Sequence, residues 1–126
     1  MQSLSKYVLV LFSILLLTQC SNNGKEVEGS WQIQRWQANG TDLPKAVYEG
    51  STWTFEGSTY KVNIANIIDE GKYRMIADTL FMKSETTPER PEMHYILLQA
   101  DSATLKLKGD LAGNKSEISF AKANLP

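Results

Sequence analysis

The chain has 126 residues, 42% of them hydrophobic and 21% charged, with 13 Lys and Arg against 14 Asp and Glu for a net charge of −1. That length holds one domain and not two, and the composition belongs to a globular chain rather than a disordered one. A near-neutral balance with no concentrated basic stretch excludes nucleic acid as an expected partner.

The amino-terminal segment carries the most specific signal. Lys6 and the free amino terminus supply positive charge, and residues 7–17 form an apolar run broken only by Ser13. This fits a signal-peptide core and is too short to span a hydrocarbon layer about 30 Å thick. Leu17, Thr18, Gln19 and Cys20 follow, then a polar stretch over 21–25. The tetrad resembles a lipobox, with Gln19 where a small residue is usual, a departure that Bacteroidota-type lipoproteins tolerate. The resemblance implies that Cys20 becomes the first residue of the mature protein and carries acyl chains such as palmitate. More than one chain makes membrane anchoring effectively stable. It further implies an address in the cell envelope, at the outer membrane, with the domain in the periplasm or at the cell surface. Cys20 is the only cysteine, so no internal disulfide can form, and acylation removes a thiol exposed to an oxidising compartment. The expected organisation is a signal peptide over 1–19, a lipidated cysteine and polar tether over 20–28, and one β-domain over 29–126.

Eight strands are predicted, over residues 31–37, 51–55, 59–64, 72–76, 79–83, 93–99, 104–108 and 116–122. Tyr60, Val62 and Ile64 alternate with Thr59, Lys61 and Asn63, and Leu105 and Leu107 alternate with Thr104, Lys106 and Lys108. Period-two alternation marks strands with one buried face. The links at 56–58, 77–78, 101–103 and 111–115 are hairpin-length, which makes sequential strands antiparallel neighbours. Residues 65–71, with Asp69 and Glu70, read as a solvated turn. Two links are longer. Residues 38–50 contain Leu43, Pro44, Ala46, Val47 and Tyr48, which should fold over something with a short helical turn. Residues 84–92 contain Pro88, Pro91 and three glutamates and read as a solvated loop. Closing eight such strands removes both vulnerable edges, so the expectation is an all-β, up-and-down, eight-stranded antiparallel barrel.

The stretch from residue 28 to residue 122 resembles the small lipocalin-like domains that recur as lipoproteins in Bacteroidota. The landmarks are Gly29-Ser30-Trp31, the run from Thr54 through Gly57 to Tyr60, Gly71-Lys72-Tyr73, Ile76-Ala77-Asp78-Thr79-Leu80, and Ala100-Asp101-Ser102-Ala103-Thr104-Leu105-Lys106-Leu107. In lipocalins an arginine at the end of the last strand packs across the first-strand tryptophan. Here Lys122 stands near that place, and a lysine can also lay its stem and charge over an indole.

Trp31, Trp53, Phe55, Tyr60, Tyr73 and Phe120 fall on the phase assigned to the interior, while Trp36 is out of phase with Trp31 and Ile33, as at a rim or bulge. Barrel closure should bring Trp31 against Phe120 beneath Lys122. In an up-and-down barrel alternate links share an end, which puts both long loops together. A ligand mouth is therefore expected under residues 38–50, near Trp53, Tyr73 and Tyr48, with Leu43 and Val47 as apolar contacts. An eight-stranded barrel is wide enough for one small guest or for its own side chains. Two readings follow for a monomeric, membrane-tethered domain. One is a binder of a small apolar or amphipathic molecule; the other is a protein-interaction or envelope-accessory module with a filled barrel. No nucleophile elbow, phosphate loop or paired-histidine motif occurs, so no enzyme, cofactor or metal is expected, and His94, the only histidine, lacks the partners zinc requires. Cys20→Ala should move the protein from the membrane pellet to the soluble fraction of expressing cells; a wild type already wholly soluble would refute the anchor.

Overall fold

The computed structural model describes residues 25–111 and 113–123, so the leader, Cys20 and the start of the tether lie outside the described residues. A 3-10 turn over Lys25–Val27 leads into β1 (Gly29–Ala38), β2 (Thr41–Asp42), the short helix α1 (Lys45–Tyr48), β3 (Thr52–Glu56) and β4 (Thr59–Ile64). β5 (Ile67–Ile76), β6 (Thr79–Ser84), β7 (Met93–Ala100), β8 (Thr104–Leu111) and β9 (Asn114–Lys122) follow. Each strand from β3 to β9 pairs with the next, and β1 pairs with both β3 and β9, which closes the circuit. β2 is a two-residue spur on the far end of β1. The barrel proper is therefore the expected eight-stranded, antiparallel, up-and-down one.

Its two ends differ. The short turns after β3, β5 and β7 share one end with the 3-10 turn, while the 39–51 and 85–92 segments lie at the other. Val27 plugs the first end, fully buried, and accepts a 2.8 Å hydrogen bond from Trp31 Nε1 at its carbonyl. The expected tether is accordingly shorter than residues 20–28, because Val27 belongs to the core. Trp31 stands opposite Lys122 across the closing ladder, and the Lys122 ammonium lies 4.7 Å from the indole centroid and donates to Glu28 O at 3.2 Å. Gly29 makes room for this: its φ is +120°, and a Cβ there would sit 2.0 Å from Lys122 Nζ. Phe120 faces Ile33, one inward position further along the ladder, and turns its ring edge toward Trp53 at 5.1 Å.

Two features of the ladder re-aim side chains. The β1–β9 register shifts between Ile33 and Arg35, and one extra residue reverses the inward phase. Trp36 thereby turns inward opposite Ile118 and packs against the core. The second feature corrects the sequence expectation. β5 begins at Ile67, not at residue 72, because Ala65 and Asn66, with φ of +52° and +66°, make a two-residue turn of the type that suits hairpin twist. Asp69 is consequently not in a solvated turn; it sits in the sheet opposite Val62.

Trp31 is 1% exposed, so its truncation leaves a cavity at the seam. Trp31→Ala should lower unfolding free energy by about 3–5 kcal/mol, read from urea denaturation, a large share of a small domain's stability. A loss under about 1 kcal/mol would mean that the seam does not depend on the ring.

Candidate functional site

The barrel interior changes character along its axis. Toward the plugged end it is lined by Val27, Trp31, Phe55, Leu80, Leu105 and Phe120, all at most 1% exposed. The three buried serines lie at the other end: Ser51 just before β3, Ser84 at the end of β6, and Ser116 near the start of β9. Between the two regions Trp53 forms an aromatic floor, its ring 5.1 Å from Phe120, 5.7 Å from Tyr95 and 6.4 Å from Phe55.

Above that floor sits a charged pair. The Asp69 carboxylate accepts hydrogen bonds from the Arg90 guanidinium, the Ser84 hydroxyl and, at 3.0 Å, the Tyr60 hydroxyl. Burial alone would raise the pKa of Asp69. The donors Ser84, Arg90 and Tyr60 outweigh that effect and hold the carboxyl below its ordinary value. Burial, reinforced by the Asp69 hydrogen bond, pushes the Tyr60 phenol up to about 12. Tyr95 is also raised, chiefly by burial. Both tyrosines lie over a cross-strand glycine: a Cβ at Gly71 would meet Tyr60 Cε1 at 2.8 Å, and one at Gly109 would meet Tyr95 Cδ1 at 2.6 Å. The missing side chains let these rings lie flat along the inner wall.

Arg90 reaches Asp69 from the segment between β6 and β7, which the sequence presents as a solvated loop. Instead it is fastened to the wall. Lys83 Nζ donates to Pro88 O at 2.9 Å and to Arg90 O at 2.6 Å, and Thr87 N donates to Ser84 Oγ at 2.9 Å. The 39–51 segment is fastened too. Leu43 N donates to Trp36 O at 2.8 Å, and Tyr48, 6% exposed, donates to Gln34 O at 3.4 Å.

The residues expected at the mouth are partly dispersed. Trp53 is inside, 3% exposed, and Leu43 packs against the core at the loop-bearing end. Tyr48 is folded down onto β1, where its hydroxyl reaches Gln34 O. Val47 is 45% exposed and does not join the interior. Tyr73 belongs nearer the plugged end, with its ring 5.0 Å from Phe55 and its amide bonded to Ser58 O in the β3–β4 turn. In sequence Asp69 reads as part of a solvated turn, and Ser84, Arg90 and Ser51 do not stand out as site residues. The alternation Asp69, Gly71, Tyr73 carries the signal, since it puts the carboxylate in phase with a buried ring.

Among the described residues no three His, Cys, Asp or Glu side chains gather as a metal site, and no helix is long and apolar enough to cross a membrane. His94 lies on the outer wall, edge-on to Phe81 at 4.8 Å and 3.8 Å from Glu92.

No family model and no curated protein matches the sequence. Among solved structures, the fold is similar to that of a lipocalin-like protein from Bacteroides uniformis, with a TM-score of 0.62 at 13% identity, covering 78% of this chain and 99% of that one. An uncharacterized protein from Bacteroides eggerthii is similar with a TM-score of 0.56 at 11% identity, covering 76% and 98%. The barrel is lipocalin-like in fold.

Asp69→Asn keeps the shape and removes the charge that Arg90 faces. With Arg90 partly solvated, the loss should be about 1–3 kcal/mol at neutral pH. Because the folded carboxyl titrates below its unfolded value near 4, its contribution is complete above that pH and fades as pH falls through the folded value. Denaturation midpoints measured from pH 7 down to pH 2 should therefore fall less steeply for Asp69→Asn than for the wild type. Parallel curves would remove Asp69 from the account.

Proposed function

We propose that this chain is a lipid-anchored, monomeric protein of the cell envelope whose barrel holds one small apolar or amphipathic molecule beneath the 39–51 and 85–92 segments, without catalysing a reaction on it. The observation that supports this reading is the split interior. A barrel filled purely as a core has no use for serines buried at one end beside a partly exposed ion pair, since a buried polar group costs free energy unless it is bonded. A site needs what this end has: an apolar, aromatic floor with a few convergent polar groups above it.

The alternative, an interaction module, draws on the outer wall, where Ile76, Ile96 and Leu98 are 54%, 46% and 48% exposed. Single exposed apolar residues are common on soluble proteins, which makes this the weaker reading. Tryptophan emission tests the choice. A panel of fatty acids, haem and hydrophobic dyes should contain compounds that shift it, through Trp53 and Trp36, and Tyr48→Ala should alter their affinity. Unchanged emission across the panel, with Tyr48→Ala indistinguishable from wild type, favours the interaction module.

A further inference from the structure

Among the described residues, the polar side-chain atoms buried without a partner are the Tyr73 hydroxyl, nearer the plugged end, and four others: Trp53 Nε1, Trp36 Nε1, Ser51 Oγ and Arg90 Nε. Ser51 is 1% exposed and Trp53 3%, and they are successive inward positions of the chain entering β3. Trp36 is turned to the same interior by the β1 bulge. Three of the four atoms can only donate a hydrogen bond, and the fourth can donate. An indole N–H left unpaired in an apolar setting is costly, so this wall is short of acceptors. The charges nearby do not make up the shortfall. Every hydrogen-bonding contact of the Asp69 carboxylate is directed to Arg90, Ser84 and Tyr60, and that ion pair leaves the interior electrically balanced.

We propose that the guest presents an uncharged acceptor oxygen, of the carbonyl or ether class, to one or two of these unpaired donors, the indole N–H of Trp53 first among them. This rests on the carrier reading and narrows it. A carboxylate guest would have to compete with Asp69 for Arg90. An ammonium guest would bring further donors to a wall already rich in them. An alkane would leave every donor unpaired. A carbonyl or ether oxygen has lone pairs, no donor and no charge to bury.

The test uses four probes of one chain length, 2-nonanone, nonane, nonanoate and nonylamine, titrated into the purified full-length protein at neutral pH. Tryptophan emission and calorimetry are the readouts. The ketone should bind at least about tenfold more tightly than the other three, the gain expected from satisfying one or two buried donors. Trp53→Phe removes the indole N–H and should narrow the ratio of ketone to nonane affinity, both measured in the same variant, toward one. Ser51→Ala, checked for folding by circular dichroism, should narrow the same ratio and stands in if Trp53→Phe does not fold. Equal binding of ketone and nonane overturns the inference, the donors then bonding only water, and leaves the carrier reading standing. Tightest binding by nonanoate overturns it in favour of Arg90 as the anchoring group. No binding by any of the four also overturns it, and the carrier reading is then decided by the wider panel.

Discussion

The rest of the structure depends on the seam between β1 and β9. Eight strands joined by short turns form a ribbon with two free edges, and nothing in the turns themselves makes the ribbon close. What holds the edges together is the antiparallel β1–β9 ladder, and at its plugged end that ladder is covered by a contact between Trp31 and Lys122, residues that begin and end the barrel. It works only because Gly29 has no side chain to obstruct the lysine and Glu28 offers a carbonyl to receive it. A lysine serves because its aliphatic stem can lie along the ring while its ammonium stays near water. Val27 then completes the floor of this end beneath the indole. Ladder, ring, lysine and Val27 thus close the sheet and shut one end of it.

With that end shut, the arrangement of the interior has a consistent logic. Aromatic rings meet edge to face across the middle, where packing is densest and polar groups are hardest to accommodate. The three buried serines and the Asp69–Arg90 pair lie at the end where the longer segments pass over the barrel. The bulge in β1 contributes to this division by presenting Trp36 to the interior where an unbroken strand would have turned it to solvent. The glycines under Tyr60 and Tyr95 contribute by letting two large rings lie along the wall instead of across the axis. The 85–92 segment is not a passive connection, since Arg90 reaches back from it to Asp69 of β5.

Much of this fold was legible in the sequence. Period-two alternation and hairpin-length links suffice to predict the strand number, the antiparallel order and the placement of both longer segments at one end. The glycine-any-tryptophan opening and a terminal lysine suffice to predict the seam. Less legible were features that depend on backbone conformation at unremarkable residues. Asn39-Gly40 is a strong hairpin signal and does make the turn into β2, yet it was absorbed into a long link. Ala65-Asn66 is a weak signal, since alanine rarely takes a positive φ, and missing it shortened β5 by five residues and left Asp69 apparently solvated. The site suffered in turn. Tyr73 lies nearer the plugged end, because phase tells which face a residue occupies and not how far along the axis it lies, and Val47, in the segment over the other end, faces outward. Arg90 lay beyond sequence reasoning for a different reason: nothing in a loop's composition reveals that one of its side chains turns into a barrel.

The plug at Val27 has a geometric consequence for traffic. The chain enters the barrel at the shut end, and only a few residues separate Lys25 from Cys20, a reach of roughly 17 Å if fully extended. If Cys20 carries lipid, the shut end is the one leashed near the bilayer, and the loop-bearing end is biased away from it. A guest would then be taken up from the aqueous side, by collision, rather than drawn straight out of the leaflet to which the protein is attached. Such a protein would survey the solution within a leash-length of the membrane, handling molecules soluble enough to leave a lipid phase yet apolar enough to prefer a ring-lined interior.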